Sequence, residues 1–140
     1  MNTTLGADIR LPISFDVAIA TVREALQAEG FGILTQIDMQ AAFREKLGKE
    51  FRPYVILGAC NPPLAFSALN ADPAVGLLLP CNVTVEAAGS DESVVRLSDP
   101  HLLLGTGALA ANAAVREVAD DARARLERVA AALAGRGAGA

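Results

Sequence analysis

The chain has 140 residues, 52% of them hydrophobic and 20% charged, which suits one folded domain and excludes a disordered chain. A net charge of −4 argues against a general nucleic-acid binder, and two cysteines are too few for a disulfide scaffold. Residues 1–10 lack the basic segment and apolar core of a signal peptide. The most lipid-like stretch, residues 102–115, is too short to span a bilayer and carries Gly105, Thr106, Gly107 and Asn112. The expectation is a soluble cytoplasmic protein with reduced thiols and no membrane or nucleic-acid partner.

In chain order, residues 2–11 read as a short edge strand stopped by Pro12. Ser14 is a good N-cap, and Phe15, Ile19, Val22 and Leu26 recur at helical spacing up to Gly30. Residues 31–37 form a strand rich in β-formers. Asp38 then caps a helix over 39–47, with Met39, Phe43 and Leu47 on one side and Gly48 ending it. Residues 54–59 are an almost unbroken apolar run, expected to be a central, buried strand.

Asn61-Pro62-Pro63 is a helix start, with Asn as cap and Pro in the first turn, and Asp72-Pro73 ends that helix. Residues 77–86 read as a strand whose Pro80 implies a bulge or an edge, because proline cannot donate to the ladder. Gly89-Ser90-Asp91 turns the chain into a hairpin partner at 92–97. Asp99-Pro100 opens a short helical turn ending near Gly105, and residues 106–111 connect. Asn112 caps a long last helix carrying Val115, Val118, Ala122, Leu126, Val129 and Leu133. Residues 135–140 read as a disordered tail, which leaves a single domain over 1–134. The order β-α-β-(α)-β-(α)-β-β-α suggests an α+β fold with helices on one face of an antiparallel sheet.

Several stretches together resemble one family. They are Glu29-Gly30-Phe31-Gly32, Phe51-Arg52-Pro53-Tyr54, Leu57-Gly58-Ala59-Cys60-Asn61-Pro62 and Leu77-Leu78-Leu79-Pro80-Cys81-Asn82-Val83. The chain is similar over roughly residues 7–134 to the bacterial and archaeal family called domain of unknown function 302. That resemblance implies a β-α-β(4)-α architecture like the TATA-box-binding protein, with a curved antiparallel sheet and extra short helices, and a homodimer. It implies no activity and no cofactor, and fold likeness does not import DNA binding.

Both cysteines lie between residues 51 and 83, and each is followed by asparagine. Cys60 ends a buried strand just before a helix N-terminus, a place that lowers a thiol pKa; the plain alternative is a small core residue. Cys81 sits beside Pro80 at an expected bulge, near Cys60 if the two strands are neighbours. The candidate ligand-binding residues are therefore Tyr54, Cys60, Asn61, Pro62, Cys81 and Asn82, and no catalytic residue is assigned. Cys60, Cys81 and the sole histidine, His101, lack a fourth ligand, so no metal site is assigned. No phosphate loop, nucleophile elbow or Ser-His-Asp order is present. The expected function is a dimeric binding or sensing module for a small molecule at the two Cys-Asn corners. The alternative is a thiol-dependent enzyme of sulfur or redox chemistry using Cys60.

Overall fold

The computed structural model describes residues 1–138. Five strands, β1 (Gly6–Leu11), β2 (Gly32–Asp38), β3 (Tyr54–Cys60), β4 (Cys81–Gly89) and β5 (Glu92–Ser98), form one open antiparallel sheet in the order β1-β5-β4-β3-β2. Helix α1 (Phe15–Ala28) follows β1, α2 (Met39–Leu47) follows β2, and α3 (Pro62–Ala71) follows β3. After β5 come α4 (Pro100–Leu104) and the long α5 (Ala113–Ala138). The family pattern of one strand, one helix, four strands and a last helix is thus present, with short helices inserted.

The helix boundaries follow from side chains that take up orphan backbone N–H groups. Asp38 Oδ1 accepts from Ala41 N at 2.9 Å, and Asn112 Oδ1 from Val115 N at 3.2 Å. Ser14 occupies the N-cap of α1, but its hydroxyl makes no capping bond. Gly48 closes α2 with φ of 64°, a left-handed conformation that favours glycine.

Alternation along the strands sends Ile9, Val55, Leu57, Val83, Val85, Val95 and Leu97 to one side, where they pack against Val22 and Leu26 of α1 and Leu126, Val129 and Leu133 of α5. A second cluster joins Ala68 of α3, Leu104 of α4 and Val115, Val118 and Ala119 of α5. The other face of the sheet carries Asp8, Tyr54, Asn82, Thr84, Glu86, Arg96 and Ser98, as the pairing register requires. β3 is an interior strand between β4 and β2, although β4 and not β3 is the middle of the sheet, and β1 and β2 are the two edges.

Several expectations fail in detail, and the strand expected from residue 2 begins only at Gly6. The strand expected over 77–86 begins only at Cys81, and residues Pro73–Leu78 form a 3-10 turn in which Asp72 Oδ1 accepts from Ala74 N at 2.9 Å. That capped turn takes Leu77 out to solvent, and Pro80, lacking an N–H, stays outside the ladder. The Leu79–Pro80 peptide is cis. The sheet's irregularities lie instead between Ile33 and Thr35 and between Ala87 and Gly89. At the C-terminus, α5 runs on to Ala138 through the start of the expected tail, where Arg136 Nη1 meets Glu24 Oε2 at 3.4 Å. The last two residues of that tail, 139 and 140, lie outside the described residues. Among the described residues no helix is long and apolar enough to cross a membrane.

Candidate functional site

The six residues expected at one site divide between two places. Cys60 closes β3, and Cys81 opens β4 directly opposite Ala59, so the two strands are neighbours. The pleat assigns Cys81 to the helix side and Cys60, one position further along, to the other. At the strand ends both border a narrow cavity of about 30 Å³, walled by Phe31, Leu64, Ala68, Leu104 and Val118. That volume holds little more than one water-sized group.

The thiols there are quiet. Both cysteines are free. Burial pushes the Cys60 thiol above its ordinary value, although a helix starts at the next residue but one. Burial, with the neighbouring Cys60, pushes Cys81 up to about 11. Desolvation therefore outweighs the helix N-terminus, and neither sulfur is poised as a thiolate at neutral pH.

Asn61 is fully engaged in holding the fold. Its Oδ1 accepts from Leu64 N at 3.2 Å, and its Nδ2 donates to Glu29 O at 3.4 Å, tying the start of α3 to the end of α1. Arg125 Nη1 donates to the same carbonyl at 3.0 Å. Pro62 begins α3 and is exposed.

Tyr54 and Asn82 lie elsewhere, in a hollow of about 370 Å³ on the face of the sheet away from α1 and α5. Residues 3–6, Asp8, Thr84, Arg96 and Ser98 complete its wall. A ladder of charge runs beside it. Arg52 Nε donates to Glu86 Oε2 at 2.5 Å, Arg96 Nη1 donates to Glu86 Oε1, and Arg96 Nε reaches Asp8 Oδ2 at 3.2 Å. Burial alone would raise the Glu86 pKa, but the hydrogen bonds and charges of Arg96 and Arg52 outweigh it and leave the carboxyl below its ordinary value. Phe51 shapes the approach, its ring 6.1 Å from that of Tyr54 and 4.5 Å from the Arg52 guanidinium carbon.

Two atoms in this wall stand out. Thr84 Oγ1 and Ser98 Oγ are buried and make no hydrogen bond among the described residues. Buried hydroxyls are normally paired, so these two are polar groups without a partner. Sequence reasoning missed Thr84, Arg96 and Ser98. The available signal was the alternation of Asn82, Thr84 and Glu86 with Val83 and Val85, which marks one polar face of a strand.

His101, considered in sequence with the two cysteines, is occupied on α4: its Nε2 lies 2.6 Å from Asp120 Oδ1 and its Nδ1 2.9 Å from Arg123 Nη1 of α5. Among the described residues no three His, Cys, Asp or Glu side chains are grouped to hold a metal ion.

Residues 7–133 match the model of the family described as domain of unknown function DUF302. A crystal structure of an uncharacterized conserved protein DUF302 from Bacillus stearothermophilus is similar at 30% identity and a TM-score of 0.77. The match covers 96% of this chain and 99% of that one. No curated protein matches. The chain belongs to the DUF302 family.

Proposed function

We propose that this DUF302 protein is a cytoplasmic, homodimeric binding module that takes a small polar molecule in the hollow beside Tyr54 and Asn82. The reading rests on the buried, unpaired hydroxyls of Thr84 and Ser98 in the hollow's wall. An unsatisfied buried hydroxyl costs about 1–3 kcal/mol, a cost that a ligand's donors and acceptors would remove. Both oxygens lie just behind the surface, so the ligand must shift a covering side chain to reach them. The neighbouring charges balance, Arg52 and Arg96 against Asp8 and Glu86. Recognition then falls to hydroxyl and amide hydrogen bonds, which suit a neutral polyol or amide better than a formal ion.

Of the residues expected at the Cys-Asn corners, we assign Tyr54 and Asn82 to the ligand and Cys60, Asn61, Pro62 and Cys81 to the frame beside it. A thiol enzyme at Cys60 has no comparable support, because burial raises that thiol rather than lowering it. Dimerisation is assigned to the β2 edge, where Leu34 and Ile37 are exposed.

An NMR screen of small neutral polyols and amides tests the ligand reading. Binding should move the Tyr54 and Asn82 resonances and weaken about tenfold in Thr84→Val, the loss of one hydrogen bond to a ligand. Hits confined to other surfaces, or equal affinity for the variant, would remove the hollow from consideration. Sedimentation equilibrium tests the dimer: Ile37→Glu should be monomeric, and an unchanged dimer would move the seam away from β2.

A further inference from the structure

A ligand in the hollow reaches the Thr84 and Ser98 hydroxyls only after a covering side chain moves, and the register points to Arg96. Arg96 stands directly across from Thr84 on the neighbouring strand, and Ser98 follows it two residues later on the same face of β5. Its side chain is drawn across the sheet as a strap. β5 lies between β1 and β4, and the one guanidinium bonds to a carboxylate on each, Asp8 Oδ2 at 3.2 Å and Glu86 Oε1. Asp8 pairs with Arg96 itself and Glu86 with Val94, so the guanidinium crosses β5 above Val94. Val94 belongs to the face away from α1 and α5, yet it is only 5% exposed. A valine sealed on that face is what a strap across it produces.

The strap is also the member of the charge ladder that is free to leave. Its bond to Asp8 joins side chains 42% and 44% exposed, where water and salt screen the attraction and the pair is worth little. Its bond to Glu86 is backed by a second cation. When Arg96 departs, Arg52 Nε stays on Glu86 Oε2 at 2.5 Å, so the buried carboxylate keeps a counter-charge. Arg52 is itself anchored, its guanidinium carbon 4.5 Å from the centre of the Phe51 ring, and it lies outside the hollow's wall. One arginine would neutralise Glu86. The structure supplies two, and of these Arg96 alone borders the hollow.

Resting on the reading of the hollow as a ligand site, we propose that Arg96 is its gate. Asp8 and Glu86 hold it closed in the free protein, and it swings into solvent when a neutral polyol or amide takes its place. The bound molecule then meets the Thr84 and Ser98 hydroxyls with its polar atoms and Val94 with an apolar edge. Entry of an uncharged molecule is thereby coupled to the breaking of ion pairs, so access to the hollow rises with ionic strength.

The gate is tested without a ligand. Thr84→Cys places a thiol behind the strap, and iodoacetamide, an uncharged reagent, reports its accessibility by mass spectrometry of the modified peptide, with Cys60 and Cys81 read separately. Labelling at position 84 should be slow at low salt and rise about threefold between about 20 mM and 500 mM KCl. Adding Arg96→Ala should speed it about tenfold and abolish the salt effect. Removing a cation beside a thiol raises its pKa and slows alkylation, so faster labelling in that variant reports access. Arg96→Lys, which keeps the charge but loses the fork that spans two carboxylates, should fall between the two. The gate is overturned if position 84 labels equally fast with and without Arg96, or if added salt leaves its rate unchanged or lowers it while Arg96 is intact. Labelling governed by Arg96 supports the gate even where the polyol and amide screen finds no hit, so failure of the gate is distinct from failure of the hollow as a ligand site.

Discussion

On the helix side of the sheet, Leu57, Val83, Val85 and Leu97 are sealed beneath α1 and α5. On the other side Tyr54, Thr84, Glu86 and Arg96 of the same strands stand without that cover. The first side excludes water with hydrocarbon. The second buries Glu86 to 7% exposure and satisfies it with two arginines, while leaving two hydroxyls unsatisfied. Neighbouring residues on one strand thus serve opposite ends, and both unpaired hydroxyls lie on the face without helices. Stability resides on one face and recognition is proposed for the other.

The largest test of that division truncates adjacent residues of β3. Leu57→Ala should cost about 3 kcal/mol by urea unfolding, whereas Ile56→Ala, on the other face and half-buried, should cost about 1 kcal/mol. Equal losses would mean that both faces carry the core. Glu86→Gln comes next, at about 1–2 kcal/mol, since both arginines are partly exposed and screened. Glu86 has a folded pKa below its ordinary 4.5, so its contribution is present above that value and lost as pH falls below it. The gap between wild type and variant should therefore close in acid; a constant gap would point to packing.

Asn61→Ala should cost about 1 kcal/mol, through the cap of α3 and the tie to Glu29. Its binding of any ligand found in the hollow should be unaltered, which separates frame from site. The smallest effect concerns the thiols. With iodoacetamide near neutral pH both should label slowly, half-buried Cys60 ahead of buried Cys81, whose thiolate forms only around pH 11. A fast Cys60 would return the enzyme reading.

Much of this fold was legible because its signals are local. Asp38, Asn61, Asp99 and Asn112 all cap helices as their sequence contexts predict, each accepting from an N–H two or three residues on. The hairpin at residues 89–91 was equally readable, its turn residues lying between two alternating runs. The start of β4 was not, since apolar Leu77, Leu78 and Leu79 satisfy a strand pattern as well as a capped turn. The site was half legible. Tyr54 and Asn82 were singled out, but their company depends on register: Arg96 stands across from Thr84, and Ser98 across from Gly6. No spacing in the chain contains that pairing. Gly58 shows the same limit: any side chain there would overlap Thr35 and approach the Pro80 ring to 2.8 Å, a contact invisible before folding.

The strand order has a kinetic consequence. β2 pairs with β3, β3 with β4 and β4 with β5, each with its successor along the chain in a meander, whereas β1 must find residues 93–98 across a far longer stretch that holds all the other strands. Closing so long a loop yields its contacts late, and the strand that joins last opens at the lowest free energy. Hydrogen exchange should therefore rank β1 as the first strand to open and β3 among the last. The sheet then carries its own loose end, an edge that can be vacated while the meander holds.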